Sequence, residues 1–398
     1  MTKMTVHDKN DAIVSQPNNR CTSQMILLTL GHFFSDFYNN FLPGLLPTVI
    51  AALGMSLTTS GLLVMVYAIT SSILQPFFGY YIDKSGYSWL VLITLPISAV
   101  FICTAGLAPT ISALFLFITF AGLGSALFHP LGSSMMGKIT PLEHKGLAMA
   151  MFIGGGNIGV AIAPAIVIYL IFHYGVNSLP WMILPALALT IAYYAYNTHR
   201  IPIAAPQMDL DPNAPAWYRS VGILKLNAVM GLRSWAQVAI PTFLPVWVVQ
   251  QGQAPTVAAT MITIFLFGGA IGSVAGGYIG DHFGRKNCIL WSLVFCLPTL
   301  YLFLTSSEIS ALTWFLLFFS GAALQSALPA SIIWAQEMIP NNAAMASGMM
   351  LGLSFGLGGL GAAITGAMAD VIGLQSALVF SLLPLALSIP LTYSISEK

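Results

Sequence analysis

Charged side chains are scarce in this sequence. Only 6% of the 398 residues are Asp, Glu, Lys or Arg, whereas an ordinary soluble domain has roughly a quarter. At the same time, 57% of the residues are hydrophobic. So few charges cannot cover a water-exposed surface, and the composition therefore excludes a soluble globular protein.

The motifs of common enzyme and cofactor sites are also missing. The four cysteines have neither metal-ligand spacing nor the pattern of a secreted disulfide framework, so we expect reduced thiols that pack in the interior. The glycine-rich runs lack the preceding strand and the Lys-Ser or Lys-Thr of a phosphate-binding loop. Ser, His and Asp residues show no catalytic arrangement along the chain. We therefore predict no enzyme, no cofactor and no bound metal.

Long apolar stretches dominate what is present. A helix needs about 20 apolar residues to cross a bilayer, and twelve stretches of this kind can be placed. The sequence therefore predicts an all-α, polytopic membrane protein of 12 transmembrane helices. The predicted helices cover residues 24–50, 58–81, 88–107, 110–137, 146–173, 178–199, 220–249, 256–280, 287–305, 309–337, 343–370 and 374–394.

The basic residues support this count. Cytoplasmic loops carry an excess of Lys and Arg, and twelve of the thirteen basic residues fall on one side of the predicted helices. Both termini are therefore expected in the cytoplasm, and a bacterial inner membrane is the expected location. The polar start leads into a stretch too long for a signal peptide, so the first helix is expected to stay. The twelve residues are Lys3, Lys9, Arg20, Lys84, Lys138, Lys145, Arg200, Arg219, Lys225, Arg285, Lys286 and Lys398.

The chain contains an internal repeat. GYYIDKSGYSW from Gly79 matches GYIGDHFGRKN from Gly277, which places Asp83 and Asp281 198 residues apart. Two six-helix bundles follow from this repeat, and duplicated transporters place their substrate site near the membrane midplane between the halves. The predicted division is a cytoplasmic tail at 1–23, a first bundle at 24–199, a Pro-rich cytoplasmic linker at 200–218 and a second bundle with a short tail at 219–398.

The repeated loop resembles a motif of the major facilitator superfamily. Asp83 with Gly86, and more fully Asp281 with Gly284, Arg285 and Lys286, are similar to its G-x-x-x-D-R-x-G-R-R loop. A narrower resemblance, to the fosmidomycin resistance family, covers most of the chain and implies proton-driven export of drugs. It is carried by GHFFSDFYNNFLPGLLP from Gly31, ILQPFFGYYIDK from Ile73, GLGSALFHP from Gly122, GGGNIGVAIAP from Gly154, LRSWAQVAIPTFLP from Leu232 and GLGGLGAAITGAMAD from Gly356.

Two ionisable residues of opposite charge are predicted deep inside the membrane, where such groups are costly and by default indicate function. Asp36 lies about twelve residues into helix one and Arg233 about thirteen into helix seven, which at ~1.5 Å rise per residue puts both near the midplane. We expect Asp36 to bind the transported proton. Arg233 is expected to pair alternately with Asp36 and with an anionic group of the substrate. The alternative interpretation is a fixed ion pair that joins the two helices.

Polar residues near Asp36 and Arg233 extend the predicted site. His32 lies one turn before Asp36 on the same helix face, and His129 of helix four is placed to face it. Both can relay the proton because imidazole titrates near neutral pH, with hydrogen-bonded packing as the alternative. The predicted substrate contacts besides Arg233 are Asn39, Asn40 and Gln237. Weaker candidates for the lining of the cavity are Gln75, Gln325, Tyr38, Trp235 and Trp334.

The loop motifs predict gating contacts at the cytoplasmic ends of the helices. These involve Asp83, Asp281, Arg285 and Lys286. Glu337, at the end of helix ten, is placed to pair with Arg285 or Lys286; a solvated helix-end charge is the alternative, because exposed pairs contribute only ~0 to 1 kcal/mol. Glycine runs in helices five and eleven, at 154–159 and 352–361, are expected to let the two halves slide against each other.

These features predict a proton-coupled antiporter that exports a small drug-like or anionic compound by alternating access. The first alternative is a proton-coupled importer of a small organic acid, since the charge pattern does not set the direction. The second is a non-transporting membrane sensor, against which the short loops argue. The expected partners are the small-molecule substrate, protons and membrane lipids, with no nucleic acid. We expect a functional monomer.

Overall fold

Helices account for almost all of the structure. The computed structural model describes residues 19–140, 145–203, 220–306, 309–339, 346 and 348–396, except the side chains of residues 19, 83, 145–147 and 150. The described residues form helices and short connections and contain no β-strand. The predictions of an all-α fold and of twelve helices are confirmed.

The helices of the described residues form twelve long segments. They are α1 (Asn19–Asn39 and Phe41–Leu53), α2 (Leu57–Ala68, Ile69–Ile73 and Gln75–Ser85), α3 (Ser88–Leu90, Val91–Thr104 and Ala105–Leu107), α4 (Ile111–Ile139), α5 (Lys145–Tyr174), α6 (Val176–Met182 and Ile183–Ala195), α7 (Val221–Gln250), α8 (Pro255–Phe283), α9 (Arg285–Thr305), α10 (Ala311–Met338), α11 (Met349–Leu353 and Ser354–Ile372) and α12 (Leu374–Phe380 and Leu382–Tyr393).

The helix boundaries lie close to the predicted ones, and one of the larger differences is in α1. This helix begins at Asn19, five residues before the predicted start at residue 24. It is interrupted at Asn40 and ends before Gly54, whose φ of 61° is a left-handed conformation that a residue without a Cβ adopts readily. Residues 1–18 of the predicted tail at 1–23 and residues 204–218 of the predicted linker at 200–218 lie outside the described residues, so the domain division stays a prediction.

Ten of the twelve helices, α2–α6 and α8–α12, are long and apolar enough to cross a membrane. The other two, α1 and α7, are the helices that contain Asp36 and Arg233. Their polar residues lower the mean hydropathy. Polar groups in membrane helices face a bundle interior or a water-filled cavity in most proteins, so the two least apolar helices are the ones expected to border a passage.

The two halves meet along α2 and α11. At Gly61 of α2, an added Cβ would lie 2.6 Å from the carbonyl oxygen of Ala362 in α11, so the two backbones are in direct contact. Each helix also contains one wider π-helical turn, at Ile69–Ile73 and at Met349–Leu353. The two wide turns face each other, since a Cβ on Gly352 would lie 3.1 Å from the Ser72 carbonyl oxygen. Such turns are frequent at functional sites.

The glycines of α5 have a different role from the predicted one. Gly155, Gly156 and Gly159 pack against α1, which belongs to the same half. The expectation that they lie in a sliding contact between halves is therefore wrong. Several glycines of α11, such as Gly352 and Gly359, do lie at a contact between the halves, since their neighbours are in α2; the sliding itself stays a prediction. In α5, the missing side chains instead let the helix approach the polar face of α1.

Candidate functional site

Asp36 lies between two histidines inside the first bundle. Its Oδ2 is 3.3 Å from His32 Nε2, one turn earlier on α1, and its Oδ1 is 3.3 Å from His129 Nε2 on α4. The two imidazole rings are 5.1 Å apart in an edge-on arrangement. All three side chains are largely buried, with 11%, 14% and 19% exposure for His32, Asp36 and His129. The prediction that the histidines face each other beside Asp36 is confirmed.

α5 holds this cluster in position through two residues that the sequence analysis did not select. Phe152 supplies a backbone carbonyl oxygen 2.8 Å from His32 Nδ1, and its ring stacks on the imidazole with centroids 4.2 Å apart. Gly156 leaves the space into which Asp36 points, because a Cβ there would overlap with Asp36 Oδ2. The glycine run was visible in the sequence, but the identity of its neighbour was not.

The hydrogen bonds of His32 fix where its proton lies. A carbonyl oxygen can only accept a hydrogen bond, so Nδ1 of His32 carries a proton and donates it to Phe152. A neutral His32 then presents the lone pair of Nε2 to Asp36 Oδ2. Two lone pairs at this distance repel each other, so one further proton is needed, on Asp36 or on His32. The contact between His32 and Asp36 therefore requires a proton on one of these two groups.

Arg233 lies in the second bundle and is fully buried, with 0% of its surface exposed. Its Nε donates to the Leu324 carbonyl oxygen at 2.7 Å. Its Nη2 donates to the side-chain oxygens of Gln325 at 2.9 Å and Gln237 at 3.2 Å. The remaining nitrogen, Nη1, has no hydrogen-bond partner among the described residues. These acceptors are neutral, so the buried positive charge is solvated but not neutralised by them.

Asp36 and Arg233 do not form a salt bridge. In the described part of the chain, the ion pairs of Asp36 are those with His32 and His129, and the hydrogen bonds of Arg233 go to neutral groups. The interpretation of a fixed ion pair between α1 and α7 is therefore wrong for this conformation. The sequence showed two opposite charges at equal depth, but it could not show that each has partners in its own half.

The predicted neutral substrate contacts have mixed surroundings. Gln237 is bonded to Arg233, and Gln325, a weaker candidate, is bonded to it more closely. Asn40 donates to the Asp36 carbonyl oxygen at 3.2 Å, where α1 is interrupted. Asn39 Oδ1 is buried and has no partner among the described residues. The substrate role of these residues stays a prediction.

Two of the aromatic candidates have partners that fix them in the bundle walls. Trp235 Nε1 donates to Thr365 Oγ1 at 2.8 Å, which joins α7 to α11. The Tyr38 hydroxyl donates to the Met182 carbonyl oxygen at 2.8 Å. The ranking of these residues below Asp36 and Arg233 agrees with these packing contacts.

The loop between α8 and α9 in the second half forms a charge network. Arg285 bonds to Asp281, and its Nε lies 3.6 Å from Glu337 Oε1. The expected pairing of Glu337 with Arg285 is thus present. Lys286 instead donates to the Ile395 carbonyl oxygen at 2.7 Å. Asp83, the counterpart in the first half, lies in the last turn of Gln75–Ser85, but its side chain is outside the described part of the structure.

At the opposite end of the molecule, Asp370 joins the two halves, and the sequence analysis missed it. Its carboxylate, at the end of α11, accepts hydrogen bonds from the backbone N–H of Leu57 at 2.9 Å and of Thr58 at 2.7 Å. The Thr58 hydroxyl donates a third at 2.6 Å. A carboxylate at a helix N-terminus satisfies its unpaired N–H groups and interacts well with the helix dipole. We call Asp370 with Leu57 and Thr58 the α2–α11 latch.

The cluster in the first half is also where ligand atoms for a metal come together. His32, Asp36 and His129 can each offer one atom, all within 4.8 Å of one another. The 3.3 Å distances from Asp36 to His32 and to His129 are also consistent with hydrogen bonds, so they do not by themselves indicate a metal. The expectation of no bound metal stays a prediction.

Comparison with known proteins assigns the family. The model described as Major Facilitator Superfamily matches residues 28–252 and 226–397, which together cover most of the chain. The chain belongs to the Major Facilitator Superfamily. As a member of this superfamily it is a multi-pass membrane protein and a transporter.

Two similar proteins support the narrower resemblance, to the fosmidomycin resistance family. The Fosmidomycin resistance protein of Escherichia coli (strain K12) is 28% identical over 352 residues, which is 86% of this chain and 85% of the relative. The uncharacterized MFS-type transporter YfnC of Bacillus subtilis (strain 168) is 27% identical over 382 residues, 92% of this chain and 91% of the relative. The predicted resemblance to the fosmidomycin resistance family is confirmed.

Solved structures show the same fold. A bacterial homologue of the human lysosomal transporter Spinster, in an inward-facing and unoccupied conformation, superposes with a TM-score of 0.79 at 14% identity over 95% of this chain and 97% of that one. The nucleoside transporter NupG gives 0.73 at 16% identity, over 94% and 98%. At these identities, the likeness extends to the fold alone.

Proposed function

We propose that this protein is a proton-coupled antiporter that exports a small drug-like or anionic compound across the bacterial inner membrane. One observation carries the proposal: in one half, Asp36 lies between His32 and His129 in contacts that require a proton, while Arg233 in the other half is a buried cation without a charged partner among the described residues. The proposed proton site therefore lies in the first half, and the proposed anion site lies in the second half.

Coupling follows from the attraction between these two sites. When the cluster has lost its proton and Arg233 has no ligand, a negative and a positive charge remain in a medium of low dielectric constant, where they attract strongly. This attraction resists separation of the halves, so the empty carrier does not reorient. Either a proton on the cluster or an anion on Arg233 removes it. The carrier then reorients with one occupant or the other, which produces exchange.

The present conformation fits the proton-loaded state of this cycle. The cluster needs its extra proton for the His32 contact, and Arg233 is bonded to Leu324, Gln325 and Gln237. Its free Nη1 is the group proposed to receive an anionic oxygen of the substrate. A charge-assisted hydrogen bond in a buried site is stronger than a neutral one. Asn39, with an unpartnered buried oxygen, is proposed as a further contact.

Gating is proposed at both ends of the bundle. The Arg285 contacts with Asp281 and Glu337 join α8, α9 and α10 at the basic end. The α2–α11 latch joins the halves at the other end. Because the basic end is the one expected in the cytoplasm, opening of the latch would give access to the outside. We propose that a monomer carries out the whole cycle.

The names of two relatives support the outward direction. One is a Fosmidomycin resistance protein, and Multidrug resistance protein 1 of Bacillus subtilis (strain 168) is 24% identical over 87% of this chain and 89% of its own length. The importer remains the second candidate for one specific reason. If a proton and an anion are both needed before the carrier reorients, the same two sites give symport, because each neutralises one charge.

Transport by everted membrane vesicles tests the proposal. The acidic interior of energised vesicles is monitored by a pH-sensitive dye, and fosmidomycin, other phosphonates, carboxylates and cationic drugs are added in turn. An antiporter releases protons from the vesicle when its substrate is added, and Asp36→Asn abolishes this response. Asp209→Asn, a carboxylate change in the predicted linker at 200–218, is the control and retains it. An Asp36→Asn response equal to that of the wild type would exclude this site.

Substrate exchange measured without a proton gradient distinguishes an antiporter from a symporter. In proteoliposomes, an antiporter whose substrate-loaded form reorients exchanges internal unlabelled for external labelled substrate at uniform pH. A symporter that needs both occupants slows this exchange as the pH rises, since the proton becomes scarce. A pH-dependent loss of exchange would therefore favour the importer.

A further inference from the structure

A pocket at the basic end of the first bundle has the properties of a binding site for an anionic phospholipid. Its volume is about 300 Å³, and it lies between the start of α1, the end of α4 and the end of α6. Arg20, Lys138 and Arg200 all line it, one from each of these regions. No acidic residue lines it among the described residues. Three cations in one pocket repel one another, and an anion would relieve this repulsion.

The backbone around the pocket is fixed by hydrogen bonds. Gln24 of α1 donates to the Tyr196 carbonyl oxygen at 2.9 Å, which joins α1 to the end of α6. Asn197 has a φ of 52°, a conformation that residues with a side chain seldom adopt. The Arg200 N–H donates to the Asn197 carbonyl oxygen at 3.0 Å. Ser88 donates to the His199 carbonyl oxygen at 2.7 Å. Arg200 therefore projects from a held turn and not from a free loop.

The surface that leads to the pocket is apolar and exposed. Leu187, Ile191 and Tyr194 follow one face of α6 at helical spacing, with 42%, 69% and 65% of their surface exposed. Asn197, two residues after the end of α6, lines the pocket. In a membrane protein such a stripe faces lipid, and tyrosine is frequent at the level of the headgroups. An acyl chain along the stripe would bring its phosphate to the three cations.

We propose that this pocket binds the phosphate of an anionic membrane phospholipid whose acyl chain lies along Leu187, Ile191 and Tyr194. Basic pockets between transmembrane helices on the cytoplasmic side bind headgroups of this kind. The proposal is independent of the transport cycle, because none of these residues belongs to the proton or anion site. It assigns a structural lipid to the first bundle.

Native mass spectrometry of the purified protein tests this proposal. The protein is mixed with equal amounts of an anionic phosphatidylglycerol and a zwitterionic phosphatidylethanolamine that have the same acyl chains. The wild type retains one phosphatidylglycerol in preference. The triple variant Arg20→Gln, Lys138→Gln, Arg200→Gln binds it roughly fivefold less per cation removed, on the order of a hundredfold in total. The double variant Lys84→Gln, Lys225→Gln, outside the pocket, behaves like the wild type.

Two further arms identify the source of the phosphate. Soluble glycerol phosphate at the same concentration leaves the retained lipid in place, since it lacks the chain that contacts α6. Ile191→Gln lowers retention of long-chain more than of short-chain phosphatidylglycerol. Displacement by glycerol phosphate would show a site for a free anion and overturn the proposal. Equal retention by the triple variant, whose exposed positions do not threaten folding, would also overturn it.

Discussion

Asp36 and Arg233 occupy nearly equivalent positions in the two repeated halves, yet their surroundings differ completely. Asp36 contacts two titratable imidazoles and faces a glycine. Arg233 contacts one backbone carbonyl and two amide side chains, which cannot titrate. The two halves thus share one scaffold, while their side chains surround Asp36 with imidazoles and Arg233 with neutral oxygens.

Because of this difference, substitutions in the two halves should impair different properties of transport. A change in the first half should alter the dependence on pH, whereas a change in the second should alter the affinity for an anion. Variants that affect both properties equally would remove the distinction.

The largest effect is expected for Arg233→Gln. The change removes the buried cation, and a hydrogen bond to a charged group contributes ~1.5 to 3 kcal/mol, so the affinity for an anionic substrate should fall roughly 10- to 100-fold. The affinity for a neutral substrate should change little. Binding is measured by scintillation proximity on purified protein, with thermal unfolding as a check on folding. An unchanged anion affinity in a folded variant would contradict the assignment.

His32→Gln should have the next largest effect, on pH dependence. Glutamine can still donate to the Phe152 carbonyl oxygen, but its side-chain amide cannot take up a proton anywhere from about pH 5 to pH 8, the range over which transport is compared. Proton-driven transport should therefore slow several-fold and vary less with pH, while anion affinity stays close to that of the wild type. Initial rates in proteoliposomes across this range provide the measurement. His173→Gln, outside the cluster, is the matched control.

Gly156→Ala should have an intermediate effect that isolates the role of α5. The added methyl group overlaps with Asp36 Oδ2 and approaches His32. Overpacking of this kind costs about 1 to 3 kcal/mol, so the cluster should shift, with slower proton-coupled transport and lower thermal stability. Gly154→Ala, on the same helix, meets no atom within 4 Å and serves as the control. Identical behaviour of the two variants would show that the cluster tolerates displacement.

Asp370→Asn is expected to have the smallest effect. Asparagine keeps one acceptor oxygen for the N–H groups of Leu57 and Thr58 but loses the charge. The site is exposed, so the stability change should stay below ~1 kcal/mol. Labelling of a cysteine introduced into the outer part of the passage should nevertheless become faster, because the latch opens more often. Unaltered labelling would indicate that this contact does not limit opening.

Much of the fold followed from composition and periodicity. A twenty-residue apolar stretch has few alternatives to a membrane helix, because unpaired backbone groups are too costly in lipid. The glycines of α5 show where this reasoning stopped. Their spacing indicated a close helix contact, but a one-dimensional pattern does not say which of two neighbouring helices fills the space.

The sequence predicted the site in part, because it shows residue types but not their neighbours in space. Asp36, His32 and His129 stood out because polar residues are rare in apolar segments, and the structure brings them together. Phe152 gives His32 a backbone carbonyl and a stacked ring, but a Phe in an apolar segment is unremarkable, and Asp370 lies at a helix end where a charge is unremarkable. Neither role leaves a signal in residue type.

The sequence by itself determined that this chain crosses a membrane many times, that it consists of two related halves, and which few ionisable residues lie at depth, since hydrophobicity and charge act residue by residue. Only the tertiary structure decided the partners: Asp36 with two histidines, Arg233 with neutral oxygens, and Asp370 with the start of α2. Pairing depends on distances between helices far apart in the chain, and these are set by packing of the whole bundle.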